Sequence, residues 1–300
     1  MAKKVYGLAM FDSALGIYGN KKLLDAAGVK YPTGLSDAWT AEQFTADLDT
    51  LAAAHGGKAL DIHEEYGLGG EWGSFAFSPI LWSAGGGLIT DNKSTGVMDS
   101  AASVKALSTL ASWKPFIDSN ADGKAFTGGR VALGWGGHWN YPDYSKALGA
   151  DLVVMPLPNF GLGSKTGQGS WTWGIGAETK NGKAAGSFLD SLLNDKNVSA
   201  MTAANGAPPA TKSALASNAT YSATGPLALF AEQLNKTCGN GPITASCVAV
   251  PRPVTAGYPV ITSKFSSALS AIFGGADAAK SLGAAAKTID QNYSDNSNYK

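Results

Sequence analysis

The stretch AFTGGRVALGWGGHWN, residues Ala125–Asn140, decides the fold class. Within it, the pattern of Gly128–Leu133 predicts a β-strand. Further along the chain, the apolar run Leu152–Met155 predicts another strand before a Pro-Leu-Pro turn. Helix patterns lie before and after these strands along the chain. Such alternation of strands and helices is typical of an α/β layer.

The surrounding segments add amphipathic helices. Thr40 and Gln43 form a capping box at the start of a predicted helix, Ala41–Ala54, in which Phe44 and Leu48 share the buried face. Further helices are predicted at Lys21–Ala27, at Ala101–Trp113 behind Asp99 or Ser100, and at Gly182–Leu193, Lys264–Phe273 and Ala276–Ile289, with further strands at Lys4–Met10 and Trp171–Gly176. The polar C-terminal tail is expected to fray.

Charge and composition exclude several classes of partner. The 300 residues carry 23 Lys and Arg against 23 Asp and Glu, so no basic surface for nucleic acid or anionic membranes is expected. With 44% apolar residues, the chain can bury a sizeable core. The N-terminus lacks the apolar stretch of a secretory signal, so the protein is either cytosolic or has lost a leader.

The two cysteines favour an oxidising compartment. Cys238 and Cys247 lie close together in CGNGPITASC and have no other sulfur partner, which favours a short-loop disulfide over two free buried thiols. A zinc site is a poorer interpretation, because neither cysteine has a second Cys or His at ligand spacing.

The histidines give no sign of metal chemistry. His55, His63 and His138 include no pair at the i, i+4 helical spacing of a zinc protease, and none lies beside a cysteine. We therefore expect no metal site and no cofactor. Nucleophile-elbow, phosphate-loop and dinucleotide-binding motifs are also missing from the sequence.

Three carboxylates keep an enzymatic alternative open. Glu64, Glu65 and Glu71, near Asp61, could supply the acid and base of a glycoside hydrolase or a polysaccharide lyase. The other interpretation is a solvated acidic loop, and the sequence does not give the separation of the carboxylates.

The aromatic residues point to ligand binding. Several are flanked by Gly, Ser, Asn and His rather than by bulky apolar residues, and we expect them where strands end and loops begin. An indole beside hydroxyl-rich, glycine-lined backbone suits the C–H face of a pyranose ring. These aromatics are Trp72, Phe75, Phe77, Trp135, Trp139, Trp171, Trp173 and Tyr258.

Seven blocks, in order along almost the whole chain, carry a family resemblance. They are VYGLAMFDSALGIYGNKKLLDAAGV (Val5–Val29), WTAEQF (Trp39–Phe44), LWSAGGGLITDN (Leu81–Asn92), AFTGGRVALGWGGHWN (Ala125–Asn140), GSWTWGIGAETKNGKAAGSFLDSLL (Gly169–Leu193), NGAPPA (Asn205–Ala210), and RPVTAGYPVI with the closing helices. In these blocks the chain resembles the extracytoplasmic sugar-binding proteins of ABC importers, the group that includes the maltose-binding protein.

The resemblance implies a fold and a ligand site. The fold would be the type II periplasmic-binding-protein-like α/β fold, in which two lobes close over a sugar in the cleft between them. Trp139 matches the aromatic residue that stacks on a sugar ring. The implied ligand-binding residues are Asp12, Ser13, Trp72, Phe75, Trp139, Gly169, Ser170, Trp171 and Tyr258.

The chain departs from the family pattern at its start. Family members begin with several strand–helix units before the block that opens this chain, so the N-terminal lobe is expected to be incomplete. Residues 12–170 and 253–300 would form the second, C-terminal lobe, and residues 1–11 and 171–252 the hinge strands and the rest of the first. Apolar surface of the first lobe would then be exposed. A missing N-terminal segment, or another copy of the chain through self-association, would cover it.

The resemblance also implies a function without catalysis. The protein would capture a mono- or oligosaccharide in the periplasm or at the outer face of the membrane, and membrane subunits of an ABC transporter would carry it across. The leader would be absent from this chain. The alternatives are a carbohydrate-active enzyme using the three glutamates, and a fragment with a structural or assembly role.

Overall fold

A computed structural model describes residues 5–299, and Lys4, the first residue of one predicted strand, lies outside this range. Within it the strands are β1 (Leu8–Ala9), β2 (Leu15–Asn20), β3 (Leu60–Asp61), β4 (Leu133–Gly137), β5 (Leu152–Met155), β6 (Thr166–Gln168), β7 (Thr172–Trp173) and β8 (Ala249–Pro251). The helices are α1 (Lys21–Ala26), α2 (Ala41–Ala54), α3 (Glu71–Ser83), α4 (Ala101–Ser112), α5 (Tyr141–Leu148), α6 (Gly182–Leu192), α7 (Asp195–Asn205), α8 (Lys212–Ala216), α9 (Ala228–Asn235), α10 (Tyr258–Phe273) and α11 (Ala278–Asp295).

A four-stranded sheet forms the centre of the fold, in the order β3-β4-β2-β5. Strand β2 runs antiparallel to both β4 and β5, with Ile17 opposite Trp135 on one side and Met155 on the other, while β3 is parallel to β4. Every residue of β2 and β4 is buried, because packed elements cover both faces of the sheet.

The strand predicted at Gly128–Leu133 is displaced in the structure. Residues Gly128 to Arg130 form a turn, in which the Arg130 amide donates to the carbonyl of Ala125 and Gly129 has a φ of 71°. The strand begins only at Leu133 and continues through the glycines to Gly137. Their lack of side chains allows neighbouring rings to pack onto the strand, so glycines that suggested a loop lie inside the sheet.

The predictions of strands at Lys4–Met10 and Trp171–Gly176 were too long. The apolar run Lys4–Met10 is typical of a buried strand, but the strand that forms within it is not buried. Only two residues of each segment are strand, β1 and β7, which pair antiparallel with Leu8 opposite Trp173. Tyr6 is 81% exposed, because in the described chain no second layer covers this ribbon.

Helices with local start signals match their predictions. Helix α2 spans the predicted residues, and the capping box is present: the Gln43 amide donates to Thr40 Oγ1 at 3.1 Å and the Thr40 amide to Gln43 Oε1 at 2.8 Å. Ser100, rather than Asp99, caps α4, through a bond from the Ser103 amide. Helices α1 and α6 also lie where predicted, each ending one residue earlier.

The C-terminal tail was predicted to fray, but its first residues continue the last helix. Helix α11 extends to Asp295, because Tyr293 is buried against Gly257 and donates its hydroxyl to Thr255 Oγ1 at 2.8 Å. Helix α10 begins at Tyr258, six residues before the predicted start.

Part of the segment 171–252, which the predicted division places with the first lobe, makes contacts with residues of the segment 12–170. Phe230 packs with Tyr18, Phe126 and Tyr144 in one buried cluster, and Gln233 donates to the carbonyl of Leu15 at 3.2 Å. Strand β8 pairs with β6. Residues 221–252 therefore pack with residues 12–170, because α9 packs against the central sheet and β8 pairs with β6 in a separate two-stranded sheet.

Three short chain segments, named the crossing segments, lie together beside this sheet. The first, Met10–Asp12, pairs with the third, Pro208–Ala210, through bonds of 3.0 Å from the Asp12 amide to Pro208 and from the Ala210 amide to Met10. The second, residues 168–173, contains β7, which pairs with β1 directly before the first segment, and it also donates to Asp12 from Gln168 Nε2 and from the Gly169 amide. The disulfide between Cys238 and Cys247 closes the loop before β8. Among the described helices, none has the length and apolar character needed to span a bilayer.

Candidate functional site

A cavity of about 660 Å³ lies where the crossing segments face α3 and the turn after β4. Its aromatic lining consists of Phe11, Tyr66, Trp72, Phe75, Trp139 and Trp171. Its polar lining consists of Ser13, Glu71, His138, Ser170, Asn205 and Arg252, with Gly169 between the two sets.

Trp139 owes its position to Gly137. Trp139 lies on a 3₁₀ turn, His138–Asn140, that directly follows β4. The Gly137 amide donates to Asn140 Oδ1 at 3.1 Å and so stabilises this turn. A Cβ atom on Gly137 would overlap the six-membered ring of Trp139. The indole therefore lies against bare backbone, held by the turn.

Helix α3 supplies the facing aromatic wall. Trp72 meets Trp139 edge to face, with ring centroids 6.1 Å apart, and its Nε1 donates to the carbonyl of Ile62 at 3.0 Å. Phe75 packs over the backbone of Gly167, where a Cβ atom would lie 2.8 Å from its ring. Contrary to prediction, these aromatics lie on a buried helix rather than at strand ends.

An ion pair closes one side of the cavity. Arg252 donates to Glu71 Oε1 at 2.5 Å, and its guanidinium lies 4.8 Å from the centre of the Phe75 ring. Glu71 also accepts from the hydroxyls of Tyr258 and Thr262, each at 2.7 Å. Burial and the Glu71 carboxylate raise the pKa of Tyr258 to about 12. Glu71 is thus committed to three protein donors.

A neutral histidine lies at the base of the cavity. His138 Nδ1 faces the carbonyl of Asn205 at 3.4 Å, so that nitrogen carries the proton, and Nε2 accepts from Ser13 Oγ at 3.0 Å. Burial lowers the pKa of His138 to about 4. Ser13 therefore keeps its oxygen lone pairs for a ligand, and the histidine is uncharged at neutral pH.

Ser170 offers a free hydroxyl. Its Oγ is buried and has no hydrogen-bond partner among residues 5–299, although the residue lines the cavity. Leaving a buried hydroxyl unpaired costs about 1–3 kcal/mol, which a bound ligand with a complementary group would recover.

Comparison with known proteins assigns the fold and the family. The family described as "Bacterial extracellular solute-binding protein" matches residues 1–227 of the chain. The chain belongs to this family. The predicted resemblance to extracytoplasmic binding proteins of importers is thereby confirmed.

Solved structures share the fold at low sequence identity. The GacH receptor of Streptomyces glaucescens, solved without ligand and with acarbose, is 23% identical with a TM-score of 0.71, over 98% of this chain and 73% of that chain. Maltose-bound MalE3 of T. maritima is 16% identical with a TM-score of 0.76, over 97% and 74% of the two chains. A Listeria monocytogenes ABC substrate-binding protein in complex with cycloalternan is 18% identical with a TM-score of 0.76, over 98% and 73%. The predicted α/β solute-binding fold is confirmed.

Seven of the nine predicted site residues of this solute-binding protein line the cavity: Ser13, Trp72, Phe75, Trp139, Gly169, Ser170 and Trp171. Asp12 lines a neighbouring cavity of about 590 Å³ instead. Its carboxylate accepts from the amides of Ser13 and Gly169, at 2.8 and 3.1 Å, and so joins two crossing segments. Tyr258 contacts Glu71 rather than the cavity.

Sequence reasoning missed five cavity residues, Phe11, Tyr66, His138, Asn205 and Arg252, and had considered Glu71 only as a catalytic acid or base. Four of the five lie inside blocks that carried the resemblance, which was a usable signal. His138, between Gly137 and Trp139, was examined only as a metal ligand. Its pairing with Ser13, 125 positions away, is a tertiary contact.

The other two glutamates of the enzymatic alternative lie outside this cavity. Glu65 Oε1 is 2.6 Å from His63 Nδ1 and lines a separate cavity of about 560 Å³, while Glu64 lines neither. The structure brings Asp61, His63 and Glu65 together, where no metal site was predicted from the spacing of the histidines.

Proposed function

We propose that this solute-binding protein captures a mono- or oligosaccharide in the 660 Å³ cavity and presents it to the membrane subunits of an ABC importer. The observation that carries the proposal is that Trp139 and Trp72 pack together in the lining of the same cavity as Ser170, whose buried hydroxyl has no partner in the described chain. The volume falls within the ~300–1,000 Å³ of small-molecule sites.

The two kinds of lining match the two faces of a sugar. Aromatic faces attract the C–H groups of a pyranose ring, and Trp139, Trp72 and Phe75 provide them on neighbouring walls. The sugar hydroxyls would pair with Ser13, Ser170 and polar groups near them. Specificity among sugars depends on the placement of these few polar groups.

The charge balance of the cavity favours a neutral ligand. Glu71 and Arg252 neutralise one another, and burial keeps the pKa of His138 low, so that no net charge faces the ligand at neutral pH. The carbohydrate complexes of structures with the same fold support the same choice, since acarbose, maltose and cycloalternan are bound there.

Several further points belong to this proposal. Family membership supports an extracytoplasmic location, in the periplasm or at the outer face of the membrane. Capture of a sugar involves no catalytic step and no cofactor, and of the three glutamates considered as acid or base only Glu71 reaches the cavity. Within the two-lobe division, residues 5–9 and 174–207 would form the described part of the first lobe, beyond the crossing segments.

Isothermal titration calorimetry against a panel of mono- and oligosaccharides tests the proposal, with glycerophosphocholine as a non-carbohydrate control. We expect saturable binding of at least one neutral sugar, at one site per chain. Binding of glycerophosphocholine alone, or of no sugar by a chain that melts cooperatively, would contradict the proposal.

A further inference from the structure

Three potential metal ligands alternate along the chain at the end of β3. One ligand atom from each of Asp61, His63 and Glu65 can be chosen so that all three lie within 4.8 Å of one another. His63 has a φ of 55°, the left-handed region that a non-glycine residue rarely adopts. The turn brings the side chains of residues 61, 63 and 65 together.

Asp61 carries an unsatisfied buried oxygen. The residue is 5% exposed, and its Oδ1 accepts from the His63 amide at 2.9 Å. Its Oδ2 is buried without a hydrogen-bond partner in the described chain. The neighbouring Asp118 is already paired with Arg130 at 2.8 Å. A buried carboxylate oxygen without a partner is costly, and a cation beside it removes that cost.

We propose that Asp61, His63 and Glu65 bind one divalent metal ion of the class that takes an imidazole nitrogen together with carboxylate oxygens, represented by Zn²⁺ and Co²⁺. His63 Nδ1 and Glu65 Oε1 are now 2.6 Å apart. Metal–ligand bonds of about 2.0–2.2 Å place two ligand atoms roughly 3 Å apart. The ion would take the place of the proton between His63 Nδ1 and Glu65 Oε1, the neutral ring would then carry its proton on Nε2 and donate it to the Tyr144 hydroxyl, and the pair would open by less than ~1 Å.

The surroundings provide support for the imidazole and a route for the ion. His63 Nε2 lies 2.9 Å from the Tyr144 hydroxyl, which occupies the position where metal-binding histidines commonly have a carboxylate, a carbonyl or a water as the outer partner. His63 and Glu65 line the 560 Å³ cavity, together with Asp122 and Asp143. An ion can therefore enter from solvent and complete its coordination with water.

The site would also brace one wall of the ligand cavity. The His63 ring stacks on Tyr66, with centroids 4.8 Å apart and planes 11° from parallel, and Tyr66 lines the 660 Å³ cavity. The carbonyl of Ile62, between two of the ligands, accepts from Trp72 Nε1. Binding of the ion would restrict the turn that carries both contacts.

The test uses the full chain, without an affinity tag and stripped with a chelator. Titration with Co²⁺, followed by its visible absorption, and with Zn²⁺, followed by calorimetry, should give one ion per chain in the absence of any sugar. Glu65→Gln should weaken binding at least tenfold, and so should Asp61→Asn. Glu64→Gln, the neighbouring carboxylate outside the cluster, should bind like the unchanged chain.

Glu65 lies at the solvent side of the cluster, so the Glu65→Gln variant should fold, and its thermal melt checks that it does. Equal affinity of Glu65→Gln and the unchanged chain for both ions would overturn the proposal. So would the absence of one-to-one binding up to ~1 mM metal. Because no sugar is present, either result leaves the proposed carbohydrate function to its own test.

Discussion

Glycine residues decide where the rings of the cavity lie. Gly137 lies beneath Trp139 and Gly167 beneath Phe75, and at both positions a Cβ atom would lie within 3 Å of the ring. Such a contact forces the ring or the backbone to move. Two of the 38 glycines therefore have a specific packing role beside the cavity, in addition to the turns that other glycines form.

Gly137→Ala should displace the Trp139 ring and lower the free energy of unfolding by about 1–3 kcal/mol. Sugar affinity should fall with it. Gly186→Ala is the control, because its Cβ meets nothing within 4 Å inside α6, and alanine there should stabilise by about 0.5–1 kcal/mol. Urea unfolding of both variants measures these changes. Equal stability of the two variants would contradict the packing described for Gly137.

His138 should make stability depend on pH. Its pKa is about 4 in the folded chain, because burial disfavours the charged form, and about 6.5 when unfolded. The unfolded chain therefore binds more protons between these values, and the stabilisation present above pH 6.5 is lost as the pH falls towards 4. The loss between pH 7 and pH 5 should be ~2 kcal/mol larger in the unchanged chain than in His138→Gln. Equal pH slopes in urea unfolding would refute this assignment.

Among the elements, α2 depends on its local start signal. Thr40→Ala removes the side-chain acceptor for the Gln43 amide and should lower the free energy of unfolding by about 1 kcal/mol. Thr50→Ala, on an exposed position of the same helix, removes a threonine without removing a cap and should be neutral or slightly stabilising. Thermal or urea melts compare the two, and an equal loss in both would show that the cap contributes nothing.

The success of prediction differed between elements for physical reasons. Helix α2 was predictable because its cap and its apolar stripe are both written in adjacent residues. The start and the length of helix α3 were not predicted, since residues Trp72 to Ser83 are buried on all sides and Pro79 lies inside the helix, which leaves no amphipathic period. The length of β1 was overestimated because a strand ends where its partner ends, and β7 provides only two residues.

The site was predicted in part, through the aromatic and polar residues of the resembling blocks. Trp139 and Ser13 carry local signals and line the cavity. The pairing of Arg252 with Glu71 joins positions 181 residues apart, and no spacing along the chain indicates such a contact. The hydrogen bonds that Asp12 accepts from Gln168 and Gly169, which link two crossing segments, are tertiary contacts of the same kind.

At the scale of the whole molecule, exposed apolar side chains predict self-association. Leu8 and Trp173 face one another on the β1–β7 ribbon and are 48% and 43% exposed, while Phe188 on α6 is 59% exposed. Exposed edges and apolar surface of this kind favour association. Sedimentation velocity should show a concentration-dependent oligomer that Leu8→Lys combined with Phe188→Lys reduces. Val254→Lys, an exposed apolar position outside the ribbon, is the control, and a strictly monomeric unchanged chain would contradict the prediction.

The most direct test of the account is the affinity of Trp139→Ala for the sugar that binds best to the unchanged chain, measured by isothermal titration calorimetry. Loss of the stacking surface should weaken binding by about 1.5–3 kcal/mol, or ~10–160-fold. Trp173→Ala removes a tryptophan outside the cavity and should leave affinity unchanged. Equal dissociation constants for Trp139→Ala and the unchanged chain would contradict the proposal that this cavity holds the sugar.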